Sequence, residues 1–141
     1  IGKLQSNKAK DAVKIFDYIH SVDNQKLADN LSKHQKNLNK NLKYFIQVNI
    51  GNEIQKSGIP VNELDSFYNY CINEINLNIL GLMVIPPLDQ KAEKYFQSLN
   101  KLNKTLGLEN LSMGMSADYV DAINCGSSYV RIGSSIFGSR S

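Results

Sequence analysis

The chain has 141 residues, of which 42% are hydrophobic, so it can bury the core of one domain and is not expected to be disordered. Sixteen basic and thirteen acidic side chains give a net charge of +3, and the lysines do not cluster with aromatic residues, which argues against a nucleic-acid surface. Cys71 and Cys125 lack CxxC or histidine spacing, and no apolar run reaches the roughly 18 residues of a membrane span. We therefore expect a soluble cytoplasmic protein without a metal site.

The first half of the chain predicts a helix followed by two strand–helix units. The first helix carries apolar residues at helical spacing after a cap at Ser6 or Asn7. A β-type run at 18–23 follows, and Asp23 is expected to cap a helix with apolar residues at Leu27, Leu31, Leu38 and Leu42. The run 44–50 is too continuously apolar for a strand with one solvated face, so we expect both of its faces to be buried.

The second half continues the same alternation. Pro60 begins a helix whose apolar stripe includes Cys71, which we interpret as a core residue. A strand at 79–85 ends at Pro86, and Asp89 is expected to begin the next helix, which ends at Gly107. With two more strands before the end, the order is one helix and then five strands alternating with four helices. This order predicts a parallel sheet, either an open doubly wound sheet or an incomplete TIM barrel.

The last two strands end in segments that predict a phosphate site. The first of them breaks at Gly114 and reaches Ser116, which can cap a helix with apolar positions Val120 and Ile123. The second, at 129–132, breaks into small residues, Gly133 and Ser134, that let backbone amides approach a ligand closely. Two such ends side by side would bind a phosphate. TIM barrels commonly bind phosphate after their seventh and eighth strands, so this pattern favours the barrel.

Arg131 is the candidate cation of the same site. It lies two residues before Gly133, so on a strand the two residues share a face. An arginine in an apolar run is costly without a partner, which favours a ligand role over an ion pair at the rim. Asn49 and Met83, near strand ends, are candidate walls of the pocket, although packing explains Met83 equally well. Lys56 is either a solvated loop residue or a contact at the rim.

Seven stretches in order carry a resemblance to a known family. They are Ile-Gly-Lys-Leu-Gln-Ser-Asn-Lys (1–8), Ile-His-Ser-Val-Asp (19–23), Ile-Gln-Val-Asn-Ile (46–50), Lys-Ser-Gly (56–58), Gly-Leu-Met-Val-Ile-Pro (81–86), Leu-Ser-Met-Gly-Met-Ser (111–116) and Val-Arg-Ile-Gly-Ser-Ser-Ile-Phe-Gly (130–138). The chain resembles the YggS/PROSC family of pyridoxal 5'-phosphate (PLP) homeostasis proteins, whose fold is that of the alanine racemase N-terminal barrel.

The resemblance implies a role for four of the candidate residues. It implies that Ser116, Gly133 and Ser134 hold the PLP phosphate and that Arg131 faces the pyridine nitrogen. A permanently charged guanidinium there discourages protonation of the nitrogen and weakens the ring as an electron sink. It further implies a monomeric, non-catalytic carrier that binds PLP reversibly and passes it on, with PLP-dependent apo-enzymes as candidate partners.

The 141 residues lack the motifs of the family's first two strands and all but the final Ile-Gly of its third-strand motif, Trp-His-Phe-Ile-Gly. The family's Schiff-base lysine ends the first barrel strand in a Val-Ser-Lys-Thr-like motif, and no such motif occurs here. We therefore expect 1–141 to be the C-terminal portion of a single barrel, strands 4 to 8 with their helices, and to trap no PLP covalently.

Two enzymes are the alternative interpretations. A PLP-dependent racemase-type enzyme would need a second base, a tyrosine that racemases supply from a further domain. A sugar-phosphate TIM-barrel enzyme would want carboxylate or lysine catalysts at the strand ends, where this chain has Asn49 and Ile85.

Overall fold

Parallel strands form one curved sheet in the computed structural model, which describes residues 1–51, 53–54, 57–88 and 91–138. The strands are β1 (Tyr18–Val22), β2 (Lys43–Asn49), β3 (Ile59–Pro60), β4 (Asn78–Met83), β5 (Asn110–Met115) and β6 (Tyr129–Arg131). Their order is β1-β2-β4-β5-β6, with the two-residue β3 beside the end of β2, and every pairing is parallel. Lys56, predicted as either a solvated loop residue or a contact at the rim, and Asp89, predicted to begin a helix, lie outside the described residues.

Helices alternate with the five long strands, as the sequence predicted. They are α1 (Ala9–Ile15), α2 (Gln25–Asn37), α3 (Leu64–Asn69), α4 (Ala92–Thr105), α5 (Tyr119–Asn124) and α6 (Ser134–Phe137). Short 3-10 turns at Ser6–Lys8 and Val61–Glu63 precede α1 and α3, and a π-helical turn at Tyr70–Glu74 extends α3. The predicted α/β partial barrel is confirmed, with β3 and α6 as the elements that the sequence did not reveal.

The two faces of the sheet carry different side chains. On the helix-covered face Ile46, Leu82 and Leu111 are almost fully buried in one apolar cluster with the helices. On the other, concave face Phe45, Met83 and Ser112 have no exposed surface. Neighbouring residues of a strand point to opposite faces, so β2 is buried on both sides, as its continuous apolar run predicted.

The sheet curls until its two edge strands meet across the concave face. Within the described residues β1 and β6 are the edges, yet the rings of Tyr18 and Tyr129 lie 5.9 Å apart. The imidazole of His20 on β1 also reaches Ser112 on β5. This half-barrel therefore encloses part of a barrel interior.

Two glycines allow the close approaches that bring β5 into place. A Cβ added to Gly81 on β4 would lie 1.7 Å from the carbonyl oxygen of Asn110, so the β4–β5 contact requires glycine. Gly114 has φ +96, and a Cβ there would lie 2.6 Å from the Cβ of Ala122 on α5. The break that the sequence shows at Gly114 is thus the place where α5 packs against β5.

The start and end of α2 differ from the sequence prediction. Asn24, not Asp23, is the N-cap: its Oδ1 accepts a hydrogen bond from the Leu27 N–H at 2.9 Å, while Asp23 accepts one from the Asn24 amide. The helix ends at Asn37, so Leu38 is partly exposed and Leu42 is buried from the following loop. Both neighbours at the start are good caps, and composition alone does not choose between them.

Candidate functional site

The carboxyl ends of β5 and β6 lie side by side and place Ser116 against the segment after β6. Met115, the last residue of β5, is in register with Arg131, the last residue of β6. The Ser116 Oγ accepts hydrogen bonds from the backbone N–H groups of Gly133 and Ser135, both at 3.2 Å. Two amides and one hydroxyl therefore converge at the start of α6. Because the amides can only donate, the hydroxyl hydrogen is left to donate to a further acceptor.

The prediction that Ser116 caps the helix after β5 is wrong. The N-cap of α5 is Asp118, whose Oδ1 accepts a hydrogen bond from the Met115 N–H at 2.6 Å. Val120 and Ile123, expected as the apolar positions of α5, are about half exposed, and Ala122 is the residue that the helix buries. Ser116 instead interacts with the first turn of α6, an element too short for a periodicity argument to detect.

A cavity of about 530 Å³ opens at this edge of the sheet. Four of the six predicted site residues line it: Ser116, Arg131, Gly133 and Ser134. The other lining residues are Ile1, Ile85, Met115, Ala117, Ile132, Phe137 and Gly138. A Cβ built on Gly133 would have no protein atom within 4 Å, so this glycine borders open space. The cavity thus combines a candidate anion-binding end with mostly apolar walls.

Arg131 is a buried cation beside that end. Its side chain is 8% exposed, with Nη1 donating to the Ser112 Oγ and Nη2 to the Val84 carbonyl oxygen, both at 2.9 Å. Burial lowers the pKa of Arg131 to about 10, with Asp118 opposing the shift, so the guanidinium remains charged at neutral pH. Both hydrogen-bond acceptors are neutral, so an anionic or lone-pair ligand in the cavity would compensate the buried charge.

Ser112 also joins Arg131 to a histidine that the sequence placed in the core. The His20 Nδ1 lies 2.7 Å from the Ser112 Oγ, and the imidazole stacks 4.4 Å from the Phe45 ring. Burial, with smaller contributions from the N-terminal amine and Arg131, lowers the pKa of His20 to about 4. His20 is therefore neutral at physiological pH, and its interpretation as a satisfied core histidine is confirmed.

The sequence did not reveal the contacts that hold Arg131. Ser112 stands out in the sequence only as a polar residue inside an apolar strand, and Val84 contributes a backbone carbonyl, which leaves no sequence signal. His20 and Ser112 are 92 residues apart in the chain, so their pairing depends on the closure of the sheet.

Asn49 and Met83 are not among the residues that line the cavity. The Asn49 side chain exchanges hydrogen bonds with the backbone of Glu53, at 2.9 and 3.3 Å, and so closes the loop after β2. Met83 is fully buried on the concave face, in register with Ser112. Neither is among the residues around the cavity, and their role as cofactor-pocket walls stays a prediction.

The described part of the chain contains neither a cluster of metal ligands nor a membrane-spanning helix. There, no cluster of three or more His, Cys, Asp or Glu side chains could hold a metal ion. No helix among residues 1–51, 53–54, 57–88 and 91–138 is both long and apolar enough to cross a membrane. Cys71 is fully buried, as predicted, and burial raises the pKa of its thiol to about 12.

The half-barrel, with a candidate anion pocket at the ends of its last two strands, defines an α/β-barrel protein. Comparison with known sequences specifies the family further: the chain belongs to the family described as the alanine racemase N-terminal domain, which matches residues 1–141. The predicted resemblance to PLP homeostasis proteins is confirmed by curated relatives of that name. One, from Pasteurella multocida, is 41% identical over 99% of this chain, and the chain spans 64% of its length.

Solved structures agree with this assignment. PipY of Synechococcus elongatus, solved with PLP bound, is 34% identical and superposes with a TM-score of 0.89 over 98% of this chain and 68% of its own. An alanine racemase of Clostridium difficile shares the fold at 15% identity, with a TM-score of 0.72 over 99% of this chain and 39% of its own.

Proposed function

We propose that this chain binds PLP in the cavity at the ends of β5 and β6 and serves intracellular PLP homeostasis as a non-catalytic carrier. The observation that carries this proposal is the convergence of the Ser116 hydroxyl and the Gly133 and Ser135 amides beside the buried Arg131. Its family membership and the PLP-bound relative PipY support the choice of ligand.

The phosphate would bind where the three donors converge. The Gly133 and Ser135 amides, which donate to the Ser116 Oγ in the structure, would exchange those bonds for bonds to phosphate oxygens, and the Ser116 hydroxyl can donate to the phosphate as well. The exchange is favourable because bonds to a charged acceptor are stronger than neutral ones. The open space in front of Gly133 leaves room for the phosphate to approach the backbone. Ser134 lines the same wall, and its predicted contact with the phosphate is part of this proposal.

Arg131 would meet the ring of the cofactor. It lines the same cavity, and its charge is buried against neutral hydrogen-bond partners. When bound, PLP supplies an aldehyde and an electron-accepting pyridine ring. A guanidinium at the ring nitrogen donates a hydrogen bond and, being permanently charged, disfavours protonation there. Such a site holds the ring without preparing it for demanding carbanion chemistry.

The residues around the cavity support a carrier rather than an enzyme. Among the described lining residues, the polar side chains are two serines and one arginine, with no carboxylate, histidine or lysine. General acid–base catalysis needs such a group within hydrogen-bond reach of the substrate. The relatives named as homeostasis proteins agree with this proposal, which includes delivery of PLP to apo-enzymes in the cytoplasm by a monomer. We further propose that the chain corresponds to strands 4 to 8 of a single barrel.

The test is a calorimetric titration of the chain with PLP and, in parallel, with pyridoxal, which lacks the phosphate. We expect saturable binding of one PLP per chain, and pyridoxal binding weaker by at least about tenfold because it loses the charge-assisted bonds. Equal affinities, or no saturable PLP binding, would contradict the proposal. Turnover of an added amino acid would support the racemase-type alternative instead.

A further inference from the structure

We propose that His20 and Ser112 are positioning residues that hold the Arg131 guanidinium, and that they thereby set the preference of the cavity for a phosphorylated pyridine over phosphate alone. The inference rests on the proposed function, because it concerns how the same cavity meets the ring of its ligand. It assigns a role to two side chains that do not line the cavity.

The direction of each hydrogen bond follows from the chemistry of the donors. Arginine only donates, so the Ser112 Oγ accepts the bond from Nη1. The Ser112 hydroxyl keeps one hydrogen to donate, and the His20 Nδ1 lies 2.7 Å away. Donation to Nδ1 requires the neutral tautomer with its proton on Nε2, which matches the lowered pKa of His20. The chain of bonds therefore runs from Arg131 through Ser112 to His20.

These contacts fix the guanidinium from two sides. The Nη1 atom is held by Ser112 on β5, and Nη2 is held by the Val84 carbonyl, which follows β4. A planar group restrained at both terminal nitrogens cannot rotate about its axis without breaking a bond. His20 is itself packed against the rings of Phe45 and Tyr129. These contacts restrain the imidazole, which is the last acceptor in this series of hydrogen bonds.

The burial of the three side chains makes the chain of bonds sensitive to any missing partner. Ser112 has no exposed surface, and His20 and Arg131 are each 8% exposed. A buried donor or acceptor that loses its partner is not compensated by water. Without the His20 acceptor, the Ser112 hydroxyl would seek another partner and the guanidinium would lose its fixed orientation. The phosphate end of the cavity, held by Ser116 and the amides after β6, would be unaffected.

The experiment compares two ligands on the full chain: pyridoxine 5'-phosphate, which has the ring and phosphate but no aldehyde to react with lysines, and inorganic phosphate. The variants are Ser112→Ala and His20→Leu, which break the chain of bonds, and His20→Asn, whose Oδ1 keeps an acceptor where Nδ1 was. Phe45→Leu is the packing control, because it alters a buried neighbour of His20 without touching a polar atom.

We expect Ser112→Ala and His20→Leu each to weaken pyridoxine 5'-phosphate binding by about tenfold while phosphate affinity changes by less than about twofold. His20→Asn should restore most of the affinity, and Phe45→Leu should leave the ratio of the two affinities unchanged. If Ser112→Ala does not fold, the His20→Leu and His20→Asn pair gives the same comparison.

Two outcomes in the variants would overturn the inference. Unchanged affinity for both ligands would show that Arg131 is oriented without His20 and Ser112, and an equal loss of both affinities would show a purely structural role. A wild-type chain that binds phosphate but not pyridoxine 5'-phosphate would overturn the proposed function and this inference together. The wild-type titration therefore tests the proposed function, and the variants test the positioning role of His20 and Ser112.

Discussion

Ser116 contacts two residues that follow it at a distance in the sequence: Gly133 is 17 residues further along the chain, and Ser135 is 19 residues further. Its hydroxyl is the meeting point of the loop after β5 and the first turn of α6. A single oxygen atom thus organises the amides that a phosphate would use. This concentration of contacts makes Ser116 the most informative residue to change.

Replacement of Ser116 by alanine should weaken PLP binding by about tenfold or more, because one donor to a charged phosphate is lost. The matched control is Ser98→Ala on α4, an exposed serine whose hydroxyl donates to the Lys94 carbonyl of its own helix. Calorimetric titration of both variants checks the prediction. Wild-type affinity in Ser116→Ala, or an equal loss in Ser98→Ala, would contradict it.

His20 predicts a pH dependence of stability. Its pKa is about 4 in the folded chain against 6.5 in the unfolded one, so between these values the unfolded chain binds the extra proton. The free energy of unfolding should therefore decrease as the pH falls from about 6.5 to about 4, and the neutral form is present in both states at higher pH. Thermal unfolding at a series of pH values measures this.

A variant without the imidazole provides the control for that experiment. His20→Asn removes the titrating group, so its decrease over this pH range should be smaller than in the wild type. An identical pH profile in His20→Asn and the wild type would show that His20 contributes nothing to the decrease.

At the scale of residues, the sequence could predict the members of the site but not all of their partners. Ser116, Gly133 and Arg131 stand in segments where a strand breaks into small residues, and that pattern is local. Asp118 displaced Ser116 as the cap of α5 because both residues suit that position and only the backbone geometry decides. The link from His20 to Ser112 crosses from β1 to β5, a contact that no local pattern encodes.

At the scale of elements, the pairing of β4 with β5 depends on Gly81, which is not among the residues that line the cavity. Gly81→Ala should destabilise the fold by about 3 kcal/mol or more, because its Cβ would overlap the Asn110 carbonyl and force the strands apart. Gly133→Ala should leave stability nearly unchanged, because its Cβ meets no atom within 4 Å. Chemical denaturation of both variants tests this, and a Gly81→Ala chain as stable as Gly133→Ala would contradict the packing described for β4 and β5.

The alternation of helices and strands could be predicted because long apolar runs and helical stripes are strong signals. Short elements were not predicted, because β3 has two residues and α6 has four, which is too few to show a periodic pattern. The apolar residues of α5 misled in a different way, since Val120 and Ile123 point outward while small Ala122 packs against β5. Close packing at Gly114 selects the small side chain over the larger ones.

At the scale of the whole molecule, the curvature of the sheet brings β1 and β6 together and gathers the polar groups of the concave face. Tyr18 and His20 on β1 contact Tyr129 on β6 across this face, although β1 and β6 are the two edges of the strand order in the described part of the chain. The family assignment predicts the barrel fold, but the contacts of His20 with Tyr129 and Ser112 are what connect β1 to the Arg131 side of the cavity.

The lining of the cavity also predicts how the chain responds to borohydride in the presence of PLP. The described lining residues include no lysine, so reduction should leave no single lysine stoichiometrically modified. Peptide mass spectrometry of the reduced chain measures this. Low, scattered modification of exposed lysines is the expected background, and one lysine carrying one PLP per chain would contradict the lining described here.

The central claim is that the amides after β6 bind the phosphate of PLP, and a nitrogen-15 NMR titration of the chain with PLP tests it most directly. The account predicts that the amide resonances of Gly133 and Ser135 shift together, saturate at one PLP per chain and move to the positions of the phosphate-bound chain when excess inorganic phosphate displaces PLP. Shifts confined to other parts of the chain, or no saturation at these two amides, would contradict it.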